Sequence, residues 1–392
     1  MTTIKIRWED SNLKIPVSEN NVVQCLEPIY PMAITESKAE NLVKKSLAQV
    51  KKTIITAGNI VIIMEDSTRA TLTGLFVTTL VRELINLRGT NQGIYLLIAA
   101  GAHYNLSQPA LAKKTGQLNI PVIIHDCSDQ NQLSLIGNSK SGIPLWFNQL
   151  VVQADLRLTI STVNIHPMVG FSGGGKILLP GVAGLETITA FHSLLQGKAG
   201  VYQNEMRELI NESLYRLPVF YSWQLLTQPD GTIFQIVPGP VMEAHSQAIQ
   251  ELTGIVSISR PKYPADFVFA HCRPFNQNLL GTFKSLIQLP HLANPGGTIV
   301  LFNEAAQGSG EHHWRKKPAI VLDQKKYLDD AFEKFNVIVF SPAANIEDFH
   351  YLFPKSFQLV KLFQELLEMI KLKHDSIITV IPYAPITLIK GY

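Results

Sequence analysis

Ile60-Val-Ile-Ile-Met64, then Gly74 to Leu87, then Ile94-Tyr-Leu-Leu-Ile98 decide the fold. The first and third stretches are apolar at every position, as strands buried on both faces must be, and Val122-Ile-Ile124 repeats the pattern. Between the first two, Val77, Leu80, Val81 and Leu84 recur at the three- and four-residue spacing of an amphipathic helix. Strand, helix, strand in succession predicts βαβ units and a parallel sheet. Leu156, Leu158 and Ile160, alternating with Arg157 and Thr159, predict another strand.

The alternation breaks at Ser259-Arg-Pro-Lys-Tyr-Pro264 and then resumes. Phe267 to Ala270, Gly297 to Phe302, Val337 to Phe340 and Ile377 to Ile381 read as strands. Helices are expected near Asn278 to His291, near Lys326 to Phe335, and as one long helix ending at Lys373. The expectation is an α/β protein of two domains, each a mostly parallel sheet flanked by helices, with the active site in the cleft between them. The N-terminal domain spans 1–258 and the C-terminal domain 259–392, with the last residues free to return to the N-terminal domain.

Composition narrows the function. With 46% hydrophobic residues, 392 residues can bury two sizeable cores. A net charge of +3 with no basic block argues against nucleic acid as partner. Three cysteines, none in a C-x-x-C pair, argue against a disulfide framework and for a reducing cytoplasm. Met1 to Trp8 lacks the apolar core of a signal peptide, and no apolar run reaches the roughly 20 residues that span a bilayer, so no membrane is expected.

Polar residues gather just after the strands: Asp66 and Arg69, His103, His125 and Asp126, and His166. Open α/β sheets bind ligands outside the carboxyl ends of their strands, so four such ends mark one edge as the site. The densest stretch is His166-Pro-Met-Val-Gly-Phe-Ser-Gly-Gly-Gly-Lys176-Ile-Leu-Leu-Pro180-Gly-Val-Ala-Gly184. Consecutive glycines let backbone approach a ligand, and Ser172, Gly173, Gly174 and Gly175 could offer N–H groups to an anion. Lys176 could pair with phosphate or act as a nucleophile. Gly170 to Lys176 also spells a P-loop, but Ile177 stands where a magnesium-holding hydroxyl belongs, and Pro180 interrupts the helix a P-loop would open. After Gly184, Leu185, Ile188, His192 and Leu195 share a helix face, so His192 points with the apolar stripe, as a core histidine or as a ligand.

Taken together, Asp66-Ser-Thr-Arg69, Gly101-Ala-His103 and the block from His166 to His192 resemble the nickel-pincer-nucleotide lactate racemase family, the LarA-like proteins. The similarity is strong over residues 60–192 and weaker in the C-terminal half. The resemblance implies a nickel cofactor, a pyridinium-3-thioamide-5-thiocarboxylic acid mononucleotide covalently attached at Lys176, with His192 as the protein ligand to the metal. It implies His103 and His166 as the acid/base pair, Asp66 in the cofactor pocket, Arg69 on substrate or cofactor anions, and Lys284 on the substrate. It also implies a small 2-hydroxy acid as substrate and cofactor-maturation proteins as partners. Hydride removal suits such a substrate, whose α-hydrogen is only weakly acidic, and two histidines can serve a hydroxyl presented on two sides.

The family commonly has arginine where this chain has Tyr104, and Tyr-Gln where it has Leu280-Gly281. Losing the glutamine side chain is expected to make room and delete a polar contact, pointing to a larger or differently polar acid than lactate. The alternatives are a homologue that binds cofactor or ligand without racemising anything and, further off, a P-loop-type nucleotide-binding protein. A dinucleotide dehydrogenase would need a G-x-G-x-x-G at the first strand–helix turn, which is missing. His125-Asp126 could support the site or merely cap a strand, Lys284 could be a solvated helical lysine, and Glu311-His-His-Trp314 could be a pocket loop or a solvated one.

Overall fold

The computed structural model describes residues 2–104, 106–194, 200–201, 203–313 and 318–391. Leu195 and Trp314 lie outside the described residues. The chain forms two compact units, Tyr30–Gly254 and Met1–Ile29 together with Ile255–Tyr392.

In the Tyr30–Gly254 unit a six-stranded sheet runs in the order Ile233–Gly239, Tyr221–Thr227, Leu156–Thr162, Ile60–Glu65, Ile94–Ala99, Val122–Ile124. All neighbours are parallel except the Tyr221–Thr227 and Ile233–Gly239 pair. Ile60–Glu65 lies in the middle and is buried at every position. Ile60, Ile62 and Met64 enter one core with Phe76, Leu80 and Leu84, while Val61 and Ile63 enter a second core with Leu178, Leu179 and Ile210. Each fully buried aliphatic side chain of this kind contributes about 1.5–3 kcal/mol, so the all-apolar run leaves the strand no other place. The helix Gly74–Arg88 ends where Gly89 takes the left-handed conformation (φ 72°) and donates its N–H to the Ile85 carbonyl. Val122–Ile124 differs from expectation. It is the edge strand, and Val122 and Ile124 are exposed.

In the other unit the sheet order is Phe357–Val360, Asn336–Phe340, Ala293–Phe302, Ala265–His271, Ile377–Ile381, Val22–Cys25, all parallel. The first 29 residues therefore do not belong with the segment that follows them, as a 1–258 domain requires. Val22–Cys25 adds to the edge of Ile377–Ile381, and the hairpin Thr2–Trp8 with Ser11–Val17 inserts Ile4, Ile6, Ile15 and Val17 among Phe269, Phe302 and Phe340. The last residues stay in this unit, Leu388–Ile389 pairing with Ser257–Ile258. The single long helix ending at Lys373 is instead helix Ile346–Leu352, strand Phe357–Val360 and helix Phe363–Ile370, because Pro354 stops the first helix and Phe357-Gln-Leu-Val360 extends into the sheet. Likewise Pro290 confines the helix expected from Asn278 to Gly281–Leu286 and a following 3-10 turn. No helix among the described residues is long and apolar enough to cross a membrane.

Candidate active site

The carboxyl end of Ile60–Glu65 carries two buried acids with different partners. Asp66 points at His103, whose Nδ1 lies 2.7 Å from Asp66 Oδ2. A carboxylate there can only accept, so Nδ1 carries a proton, and in the neutral ring Nε2 bears the lone pair. The other Asp66 oxygen accepts from the Thr68 amide at 3.0 Å and the Thr68 hydroxyl at 2.5 Å, and Arg69 Nη1 donates to that hydroxyl at 3.0 Å. Burial works to neutralise Asp66, but His103, Arg69 and the Thr68 hydroxyl outweigh it and hold the carboxyl well below the usual range. Glu65 faces the other way: its carboxylate takes Lys114 Nζ at 3.1 Å, the Thr162 amide at 3.0 Å and the Thr162 hydroxyl at 2.8 Å.

His166 ends a two-residue strand that pairs with Gly170–Phe171, and its Nδ1 accepts the Met168 and Val169 amides at 3.2 and 3.4 Å. When neutral, its proton is therefore on Nε2. His103 and His166 thus present opposite tautomers, one ready to accept a proton at Nε2 and the other ready to give one. Arg207, buried in the helix Glu205–Arg216, fastens this hairpin by donating to the carbonyls of Val169 (2.9 Å) and Phe171.

The glycine segment is packed from behind. Gly174–Ile177 forms a single 3-10 turn rather than the start of an α-helix, and Ile177 is buried, so the P-loop geometry is missing as well as its hydroxyl. The Ser172 hydroxyl donates to the Thr162 carbonyl at 2.9 Å and accepts the Asn164 amide at 2.8 Å; the Gly174 amide goes to Gln224 Oε1 at 2.9 Å. A Cβ on Gly173, Gly174 or Gly175 would strike Gln224, the His245 ring or Leu214 respectively. The Ser172 amide donates to the Asn164 carbonyl at 2.8 Å, so with Gly174 two of the anticipated anion donors are engaged within the protein, and what the glycines permit is close approach of neighbouring side chains. His245 donates from Nε2 to the Ser172 carbonyl at 2.8 Å, and burial, with Arg207 nearby, lowers its pKa to about 3.

Lys176 ends this turn, half-buried. Burial first, then the Arg69 and Arg207 charges, lower its pKa to about 7, against the opposing pull of Asp66. A lysine so placed is an amine for a large part of the time near neutrality, and hence a nucleophile. His192, in the helix Leu185–Ser193, donates from Nδ1 to the Ile188 carbonyl at 2.8 Å, which puts the lone pair on Nε2. Burial is the main cause that lowers its pKa to about 4, and Lys176 and His103 add to it. Asp66, Arg69, His103, Lys176 and His192 are therefore one electrostatically coupled group. A neutral imidazole with a fixed tautomer fits a borderline metal such as nickel, and a neutral amine beside cations fits attachment of an anionic group.

Other candidates have surroundings of their own. His125 donates from Nε2 to the Ala183 carbonyl (2.9 Å) and accepts the Asn148 amide at Nδ1 (3.1 Å), while Asp126 turns to the Ser128 amide and hydroxyl. Both ring nitrogens serve the fold. His312 is buried and His313 half-buried. Lys284, in the other unit, sits with Nζ 3.6 Å from the centroid of the Phe275 ring. The room expected beside Gly281 does not exist: a Cβ there would collide with the Phe275 carbonyl, which fills the space. Sequence reasoning missed Glu65, Lys114, Arg207, Gln224 and His245. A lysine in the last turn of a helix reads as solvated, and nothing local marks its partner.

Residues 8–201 match the family model described as the lactate racemase N-terminal domain. A lactate racemase of Thermoanaerobacterium thermosaccharolyticum is 26% identical over 333 residues, 76% of each chain. One from Lactiplantibacillus plantarum is 27% identical over 290 residues, 70% of this chain and 66% of the relative. The fold matches the lactate racemase apoprotein structure from T. thermosaccharolyticum at a TM-score of 0.79 and 21% identity over the whole of both chains. A crystal structure of a protein from Thermotoga maritima matches at 0.71 and 16%, covering 92% of this chain and 99% of the other.

Proposed function

Because the chain belongs to the lactate racemase family, we propose that it racemises or epimerises a 2-hydroxy acid with a nickel-pincer nucleotide tethered to Lys176. The observation that supports this most is the coupling of Asp66–His103 to Lys176 and His192. Lys176 would carry the nucleotide, His192 Nε2 would hold nickel, and Arg69 would face an anion of nucleotide or substrate. The bound group supplies a reversible hydride acceptor for the hydrogen on the substrate's α-carbon.

The chain's own residues handle the proton. His103, oriented by Asp66, takes the substrate's hydroxyl proton at Nε2 for one enantiomer, and the carboxylate stabilises the resulting imidazolium. On the other side His166, its Nδ1 held by the Met168 and Val169 amides, gives a proton from Nε2 to the carbonyl oxygen as the α-hydrogen is returned on the opposite face, and for the other enantiomer the two roles exchange. In each turnover one histidine takes a proton and the other gives one, and the α-hydrogen that was removed is returned, so the net redox change is zero. Lys284, steadied on Phe275, would bind the substrate carboxylate. Three unpaired cysteines fit a reducing cytoplasm, where the maturation proteins that install the group would meet the chain.

The test is protein expressed with cofactor-making proteins. Whole-protein mass should show an adduct on Lys176, elemental analysis should show nickel, and a panel of chiral 2-hydroxy acids should identify the one racemised. Adduct and nickel with no acid racemised would favour a binding homologue. A bare Lys176 without nickel in a competent host would refute the proposal.

A further inference from the structure

We infer that the buried Glu65–Lys114 ion pair is a positioning device for Arg69, fixing where that guanidinium can meet an anion in the proposed reaction. The inference rests on the proposed function and adds to it two residues in no direct contact with any reacting atom.

The connection from Asp66 to Thr73 joins the central strand to the helix Gly74–Arg88 and carries Asp66 and Arg69. It has no regular structure of its own, and other elements fasten it at several points, among them the Leu72 amide on the Gly231 carbonyl at 2.9 Å. Lys114 Nζ donates to the Arg69 carbonyl at 3.0 Å while pairing with Glu65 Oε1 at 3.1 Å. The Thr71 hydroxyl shares a 2.6 Å hydrogen bond with that of Thr162, which itself donates to Glu65. The Thr73 hydroxyl donates to the Lys114 carbonyl at 2.9 Å. The end of the strand Leu156–Thr162 and the last turn of the helix Gln108–Thr115 thus converge on the backbone that bears Arg69.

Stability alone does not explain the pair. Its side chains are only 7% and 9% exposed. Desolvating two charges costs about what their attraction returns, so an apolar pair of similar volume would serve the core as well or better. An apolar pair could not hold the Arg69 carbonyl. Lys114 has donors for both partners, and its ammonium bonds the carbonyl at the residue whose side chain must be aimed.

The experiment uses matured holoenzyme, with the acid identified in the panel as substrate, and compares wild type with Lys114→Met and with Glu65→Gln/Lys114→Met. The double variant removes both charges and leaves no unpaired carboxylate. We expect KM to rise about tenfold with kcat within about threefold, or the adduct stoichiometry at Lys176 to fall about tenfold, according to which anion Arg69 holds. In unloaded protein, amide hydrogen exchange over residues 66–73 should speed up. A lower Tm with KM, loading and exchange unchanged would assign the pair to the fold alone and overturn the inference. Should neither variant fold, Thr162→Val keeps both charges and removes the hydroxyl's bonds to Glu65 and to Thr71; an unchanged KM and unchanged loading there would overturn it equally. Wild type that carries nickel and adduct yet racemises nothing sinks the underlying function instead.

Discussion

His103 and His125 follow neighbouring strands of one sheet, Ile94–Ala99 and Val122–Ile124, and by position alone they are equivalent. Their partners make them different. His103 meets a carboxylate, a partner that strengthens when the ring takes a proton. His125 is held between a carbonyl and an amide, and that amide donates to its lone pair, so protonation would destroy the contact. The first ring is built to change charge and the second to keep it. A strand end locates a site, but the charge and hydrogen-bonding sense of the partner decides whether a residue there is chemistry or scaffold.

Removing each ring should break the equivalence most visibly. His103→Asn is expected to lower kcat by about 10²–10⁴, the usual worth of a positioned general base, while Tm changes little because the side-chain amide can still donate to the buried Asp66 carboxylate. His125→Ala should do the reverse. It leaves the Ala183 carbonyl and the Asn148 amide unsatisfied in the interior at a cost of about 1–3 kcal/mol, with kcat per loaded enzyme within about threefold. Equal losses of rate in the two variants would erase the distinction.

The pH dependence of stability sharpens the same contrast. Burial lowers the His125 pKa to about 4, against 6.5 for an unconstrained imidazole. Between those values the unfolded chain binds a proton that the folded chain refuses, so stability rises with pH across that window. The contribution of His125 is complete above pH 6.5 and lost as pH falls towards 4, amounting to about 3 kcal/mol for a shift of this size. Urea unfolding of wild type and His125→Gln at several pH values should show a shallower slope in the variant over that range. Identical slopes would mean that the ring is not held neutral.

Much of the scaffold was legible because burial on both faces leaves a plain signature: Ile60 to Met64 could be little else than a central strand. Pairing across long separations left no such trace. Val22–Cys25 joins Ile377–Ile381, and no local feature at either end announces the other, so the first 29 residues were expected in the wrong unit. In the candidate site, the residue types at the strand ends were readable and their partners were not. Asp66–His103 depends on two loops meeting, and Glu65–Lys114 pairs a strand terminus with a helix terminus. Gly281 shows the opposite error. A missing side chain suggested space, but the neighbouring backbone had moved into it. Absence of a Cβ permits approach and does not say whether a ligand or the protein makes it.

Ser172 offers the smallest and most specific break. Its amide was expected to face an anion, and the structure instead ties that amide to the Asn164 carbonyl and the hydroxyl to the Thr162 carbonyl and the Asn164 amide, across the strand end that also serves Glu65. If that is its whole employment, Ser172→Ala should cost about 1 kcal/mol, a Tm shift of about 2–4 °C for a unit of this size. Adduct and nickel at Lys176 should then load as in wild type. Should the hydroxyl also serve the cofactor's phosphate, loading would fall without a matching loss of Tm. A serine buried among glycines would then belong with His103, among the groups placed for chemistry, rather than with His125.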